Sequence, residues 1–284
     1  MNDKKIKALI SLLDDEDVEV LTHVEQEILS IGEDIIPYLE YEWENNFNPL
    51  VQKRIEEIIH TVQYELLLHR IEAWKNAGGE DLLEGMWLVA TYQYPDLELA
   101  KLRSEMEQIY YEVWLEFKPE MSAYDQVKVL NSVIFNKLKF SANTKNFHSP
   151  ANSMLNMALE TKKGNPISLC VIYALVGQKL GLPVYGVNLP NLFILTYKSP
   201  ELQFYINVFN KGLIFSKEDI DNYIGHLNLN PMDIFYQPCS NVEIVKRIFR
   251  NLIISFEKLG DSGKVEEIKR LLNTISEGKE GSEY

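Results

Sequence analysis

The sequence predicts a helix-dominated α+β fold with a small antiparallel sheet, flanked by helical N- and C-terminal segments. Three observations predict it. Apolar residues recur at helical spacing over long stretches, as at Leu21, Val24, Ile28 and Ile31 and then Ile35, Ile36 and Leu39. Between Val184 and Phe215 the pattern changes to short runs rich in β-branched and aromatic residues, punctuated by Pro190-Asn191, Ser199-Pro200 and Asn210-Lys211-Gly212. From Val242 onward helical periodicity returns.

Composition bounds what such a chain does. With 284 residues, 46% hydrophobic and 25% charged, it has an ordinary globular composition and the length of about two domains. Lys and Arg number 28 against 42 Asp and Glu, a net charge of −14 that repels phosphate backbones and anionic lipid surfaces, so nucleic acid is not an expected partner. Two cysteines, Cys170 and Cys239, exclude a disulfide scaffold and a four-cysteine zinc site and fit a reducing compartment. The apolar patch Ile6–Leu13 is broken by Lys7 and Ser11 and followed by Asp14-Asp15-Glu16-Asp17, which is not the pattern of a signal peptide. No run reaches the roughly 18 apolar residues of a membrane span, and a cytoplasmic location is expected.

Taken in order, residues 1–76 read as short paired helices. An acidic or turn-rich connector precedes a helix twice, Asp14–Asp17 before Val18–Ile31 and Asn45–Pro49 before Leu50–Val62, which suggests weak HEAT-like repeats or an ordinary helical bundle. Asn76-Ala77-Gly78-Gly79 is the expected linker. A core with its leading helices follows over residues 80–238, opening with helices at Leu82–Tyr92 and Leu97–Phe117 around Tyr94-Pro95-Asp96. The aromatics here, Trp87, Tyr110, Tyr111 and Trp114 among them, are at the spacing of a buried face. An amphipathic helix is expected over Met121–Leu138, then a polar stretch, Ser141–Ser153, in which Asn143 and Asn152 suit side-chain pinning of an irregular loop. Asn165 as N-cap and Pro166 as first residue open a helix that Gly181 ends. A helix pair occupies residues 239–275, and 276–284 are expected to be a flexible tail.

No metal or nucleotide cofactor is expected. The five histidines show no HxxxH spacing, there is no CxxC, and both phosphate-cradling glycine motifs are absent. The informative stretch is the capped helix followed by Gly181-Leu182-Pro183 and antiparallel strands, the order of a thiol-hydrolase core. In such a core the helix N-terminus lowers the thiol pKa, a His on the second strand is the base and an acid on the third orients it.

From Glu80 to Ile275 the chain resembles the SirB-type proteins of the transglutaminase-like superfamily. The residues carrying the resemblance include Leu82-Leu83-Glu84-Gly85, Tyr94-Pro95, Leu130-Asn131, Phe135, Asn143, Pro150 and Asn152-Ser153. Further along come Lys163–Leu169, Tyr173, Gly181–Val184, Gly186–Pro190, Phe193, Phe209–Gly212 and Arg247–Leu252. The resemblance implies a papain-like transglutaminase core and a C-terminal tetratricopeptide-like helix pair. It also places the triad positions, and none carries a working group: the thiol falls at about Asn165–Pro166, the His at Leu192 and the acid at Asn207.

These vacancies lead to the expectation of a non-catalytic, pseudoenzyme member that binds a protein or peptide partner, with Asn152, Asn165, Ser168 and Asn191 as candidate cleft-lining residues. Two alternatives stay open. A displaced Cys170 would make a thiol hydrolase or peptidase, with His148 or His226 as base, although its neighbours Ile167, Leu169, Val171 and Ile172 suit a buried, inert thiol. Otherwise the N-terminal repeats act as an adaptor.

Overall fold

A computed structural model describes residues 3–15 and 17–276. Glu16 of the acidic connector and all of the expected tail except Ser276 lie outside the described residues. The chain divides into two units, Met1–Ala73 and Trp74–Tyr284.

The first unit is helical: α1 (Asp3–Ser11), α2 (Val18–Leu29), a 3-10 turn at Gly32–Ile35 leading into α3 (Ile36–Asn45), and most of α4 (Pro49–Asn76). Asp17 starts α2 by accepting the Glu19 N–H at 2.9 Å, satisfying a donor that has no partner within the helix. Ile6, Ile10 and Leu13 of α1 and its end pack with Val24 and Ile28 of α2, Leu39 of α3, and Val51, Ile55 and Ile58 of α4. α4 corrects the expectation of short helices throughout. Nothing from Leu50 to Lys75 is Gly or Pro, so the 28-residue helix is not interrupted where a helix ending near Val62 was read.

The second unit begins with α5 (Leu82–Thr91), α6 (Leu99–Trp114) and α7 (Ala123–Asn131). The helix expected to reach Leu138 stops being α-helical at Asn131 and widens into a π-helical segment, Ser132–Lys137. Short strands β1 (Ser141–Ala142) and β2 (Lys163–Gly164) pair in parallel around α8 (Leu155–Thr161). Next comes α9 (Pro166–Lys179), with every residue from Ile167 to Ala174 buried. A helix apolar on all sides belongs inside a core, and α9 is that core's axis.

Four strands follow, β3 (Val184–Leu189), β4 (Leu192–Lys198), β5 (Gln203–Asn207) and β6 (Leu213–Phe215), in an antiparallel meander of order β3-β4-β5-β6. Helix α10 (Lys217–His226) was not anticipated, although its start is written in the sequence. Ser216 accepts the Asp219 N–H while the Asp219 carboxylate accepts the Ser216 N–H at 2.7 Å. The expected terminal pair is α11 (Asn241–Leu259) and α12 (Ser262–Ser276), parted by Gly260 at φ 74°.

One polar cluster ties α7, α9 and the β5–β6 connection together. Asn131 Nδ2 donates to the Gly212 carbonyl at 3.0 Å, and the buried Tyr173 hydroxyl donates to Asn131 Oδ1 at 3.0 Å. Gly212 lies at φ 74°, and a Cβ there would sit 1.9 Å from Asn131 Oδ1, so only glycine fits.

Candidate functional site

The start of α9 is built from its own residues. Asn165, in extended backbone, accepts the Ser168 N–H at 2.9 Å, and its amide donates to Ser153 Oγ at 2.9 Å. Pro166 occupies the first helical position, where a missing N–H costs nothing. The neighbouring loop is fixed by asparagines. Asn143 donates to Asn152 Oδ1 at 2.8 Å, and the Asn152 amide donates to the carbonyls of Asn146 at 2.7 Å and Phe147 at 3.0 Å. That places Phe147 and His148 at the edge of α9. From the sheet, Pro190 and Asn191 turn β3 into β4, with Asn191 at φ 57°, a left-handed conformation that Asn tolerates better than most residues.

The remaining wall is α11. Arg247, Asn251 and Ser255 recur every four residues, so they share one face, with Ile254 beside them. Together these elements enclose a cleft of about 280 Å³ that also reaches Pro166, Ile167 and Phe193. Its lining residues include no Asp or Glu.

The structure gathers some of the sequence-derived candidates and separates others. Asn165, Pro166 and Asn191 line the cleft. Asn152 and Ser168 do not; both are buried, Ser168 with its hydroxyl on the Asn165 carbonyl at 3.3 Å. Leu192 packs with Val187, Leu189, Ile220 and Ile224 instead, since neighbouring strand residues face opposite ways and Phe193 takes the cleft side. Asn207 accepts the Asn210 N–H at 3.1 Å and so caps the turn after β5.

Cys170 is fully buried, one turn into α9, and is not part of the cleft wall. Its thiol points to the Phe193 carbonyl at 3.7 Å, and burial pushes its pKa well above that of a free thiol. The Cys239 thiol is likewise pushed up to about 12 by burial. His148 reaches the cleft, but its Nε2 accepts from the Lys258 ammonium at 2.6 Å. His226 is exposed at the end of α10 with Nδ1 on the Asn222 carbonyl at 2.6 Å. Neither histidine is poised over a thiol. Among the described residues no group of three or more His, Cys, Asp and Glu is arranged to hold a metal ion, and no helix is long and apolar enough to cross a membrane.

Sequence reasoning missed the α11 wall. Arg247 is half-buried, with Nη1 donating to Asn188 Oδ1 at 3.2 Å, and burial together with the nearby Arg250 charge lowers its pKa. The signal is a polar series at four-residue spacing, Arg247, Asn251 and Ser255, in a helix that carries other charges as well, and nothing local says which element that face meets.

Comparison with known proteins places this architecture. The sequence profile of the transglutaminase-like superfamily matches residues 100–250. A UPF0162 protein of Xylella fastidiosa is 31% identical over 191 residues, 63% of this chain and 68% of that protein. A UPF0162 protein of Vibrio cholerae is 26% identical over 148 residues, 51% of this chain and 54% of that protein. The human F-box only protein 21 is 22% identical over 249 residues, covering 76% of this chain and 38% of that protein. This chain thus spans between about half and two thirds of these bacterial relatives. No solved structure matches it.

Proposed function

Because the chain belongs to the transglutaminase-like superfamily, we propose that it is a non-catalytic member whose cleft at the start of α9 holds an extended segment of a protein partner. The observation that carries this reading is the occupancy of the helix start. Pro166 stands in the cleft where the superfamily resemblance puts the nucleophile, while the nearest thiol, Cys170, is sealed in the core. Nucleophile, base and acid act as a unit in thiol hydrolases, so a cleft without the nucleophile retains binding and loses the chemistry.

The cleft's makeup supports a peptide as occupant. Phe147, Phe193 and Ile254 offer apolar surface, and Asn191, Asn251 and Ser255 offer polar groups, the mixture that an extended backbone with alternating side chains requires. A displaced-cysteine hydrolase would instead need an accessible thiol of low pKa next to a free base.

Two measurements test the proposal on the full chain. Incubation with glutamine-containing peptides and an amine donor should release no ammonia and yield no cross-linked or cleaved product, with Cys170→Ser indistinguishable from the parent. A turnover lost in Cys170→Ser would overturn the non-catalytic reading. Peptides selected from a display library should lose binding when Ile254→Glu fills the cleft; selected binders indifferent to Ile254→Glu would remove the cleft from the function.

A further inference from the structure

The cleft of the proposed peptide site has an unbalanced electrostatic wall. Arg247 brings a guanidinium with five donors into it, and among the described residues its side chain bonds Asn188 Oδ1 and pairs with no carboxylate. The charged or titratable groups that act on it are Arg250 from α11 and the Tyr223 phenol from α10, and again no carboxylate is among them. The start of α9 lines the same cleft and carries the positive end of a helix dipole. A third positive group, the Lys258 ammonium, stands at the rim on His148.

Such an arrangement opposes folding. A half-buried cation has lost water, the Arg250 charge acting on it repels it, and the positive helix end in the same cleft does the same. It is more unusual still in a chain whose net charge is −14, where carboxylates outnumber cations by 42 to 28. Elsewhere on α11, Lys246 is paired with Glu243 at 2.8 Å, so the helix supplies a carboxylate to a cation outside the cleft but none to the cation within it. Local conflicts of this kind are expected where a ligand resolves them.

We infer that the cleft recognises a carboxylate of the bound peptide, held between the Arg247 guanidinium and the start of α9. The inference rests on the peptide-binding reading above and specifies its ligand. Asn251, one turn from Arg247 on the same cleft wall, is a neutral donor that can complete the contact. The carboxylate comes from a peptide C-terminus or from an Asp or Glu side chain, which share this chemistry.

A display library of short random peptides, selected on the full chain and then resynthesised, tests it. The expected binders carry a free carboxylate and weaken about tenfold or more against Arg247→Gln. Changing the peptide's Glu to Gln should cause the same loss if a side chain is read, and amidating its C-terminus if the terminus is read. Combining either change with Arg247→Gln should add little further loss, the signature of a direct pair. Lys246→Gln, one residue away and already paired, should leave binding unchanged. Asn251→Asp, which supplies the missing carboxylate from within, should abolish peptide binding while holding or raising the melting temperature.

Binders that lose affinity with Ile254→Glu but are neutral and indifferent to Arg247→Gln would overturn the carboxylate and leave the peptide cleft standing. If no binder depends on the cleft at all, both readings fall. Should Arg247→Gln lower the melting temperature as far as Asn131→Ala does, Arg247 is a structural residue and the inference is wrong.

Discussion

Cys170 is the fully buried residue of α9 whose thiol lies nearest the cleft, and its burial can be tested directly. Full burial predicts that iodoacetamide labels Cys170 in the native protein far more slowly than in the urea-unfolded chain, which peptide mass mapping reads directly. The same burial has a pH consequence. A thiol whose folded pKa lies above its unfolded value keeps its proton in the native state while the unfolded chain loses its own. The stability it contributes is therefore complete below the ordinary thiol value of 9.0 and declines as pH rises, for Cys239 up to about 12. Each such group steepens the loss by about 1.4 kcal/mol per pH unit within that window. Urea midpoints measured from pH 8 upward should fall with a steeper slope than those of a Cys170→Ala/Cys239→Ala variant, and parallel slopes would contradict the burial argument. Asn131 is the structural counterpart. Removing its amide in Asn131→Ala takes a partner from the Gly212 carbonyl and leaves the buried Tyr173 hydroxyl only the Val127 carbonyl at 3.3 Å, a loss of about 1–3 kcal/mol. Little of this was legible in the sequence. An apolar neighbourhood foretold the buried thiol, but nothing local joins Asn131 to Gly212, 81 positions away.

Among the elements, α9 was the most legible, since Asn165-Pro166 and Gly181 are start and stop signals that act through their own backbone geometry. The strands were legible for the same reason, each being bounded by Pro, Gly or Asn turns. Two elements escaped that reading for opposite reasons. α10 carries a local signal, the Ser216 to Asp219 capping box, but no strong apolar periodicity to mark its length, whereas α4 is long because it lacks any breaker, an absence with no residue to point to. The cleft escaped because its α11 wall is tertiary. Arg247 follows Pro166 by about eighty positions, and only the packed fold brings them to one cavity. The capping arrangement at α9 makes an element-scale prediction. Asn165→Ala removes the bond to the Ser168 N–H and the link to Ser153, a loss of about 1–2 kcal/mol in urea unfolding. Asn165→Asp keeps a capping oxygen and puts a negative charge at the positive end of the helix, so its midpoint should match or exceed the parent's. The same carboxylate lines the cleft and should weaken an acidic ligand, separating the stability of α9 from its use.

For the molecule as a whole, the two units differ most in charge. Residues 1–73 hold 17 acidic and 6 basic side chains, so they carry −11 of the net −14. An adaptor role for this unit would therefore select a basic partner, whose capture falls steeply with added salt. Deciding between this unit and the cleft calls for a truncated chain, and the structure dictates where it begins. A cut at the glycines, as the sequence suggests, would remove Trp74. That indole is buried in the second unit; it donates to the Asp81 carbonyl at 3.0 Å, and it lies so close over Gly85 that a Cβ there would come within 2.6 Å of the ring. Asn241 fastens the following segment by donating to the carbonyls of Gly79 at 3.0 Å and Glu80 at 2.8 Å. A fragment starting at Gly79 forfeits the contacts of a large buried aromatic, worth about 3–5 kcal/mol, whereas one starting a turn before Trp74 keeps them. Thermal melts of the two fragments should differ accordingly, with the longer one close to Trp74-intact full-length protein in its second-unit transition. Only the longer fragment then gives a fair test of partner capture, because binding lost by the shorter one would report a damaged core. Capture retained by the longer fragment places recognition in the second unit; capture lost, with the fragment folded, places it in the acidic unit.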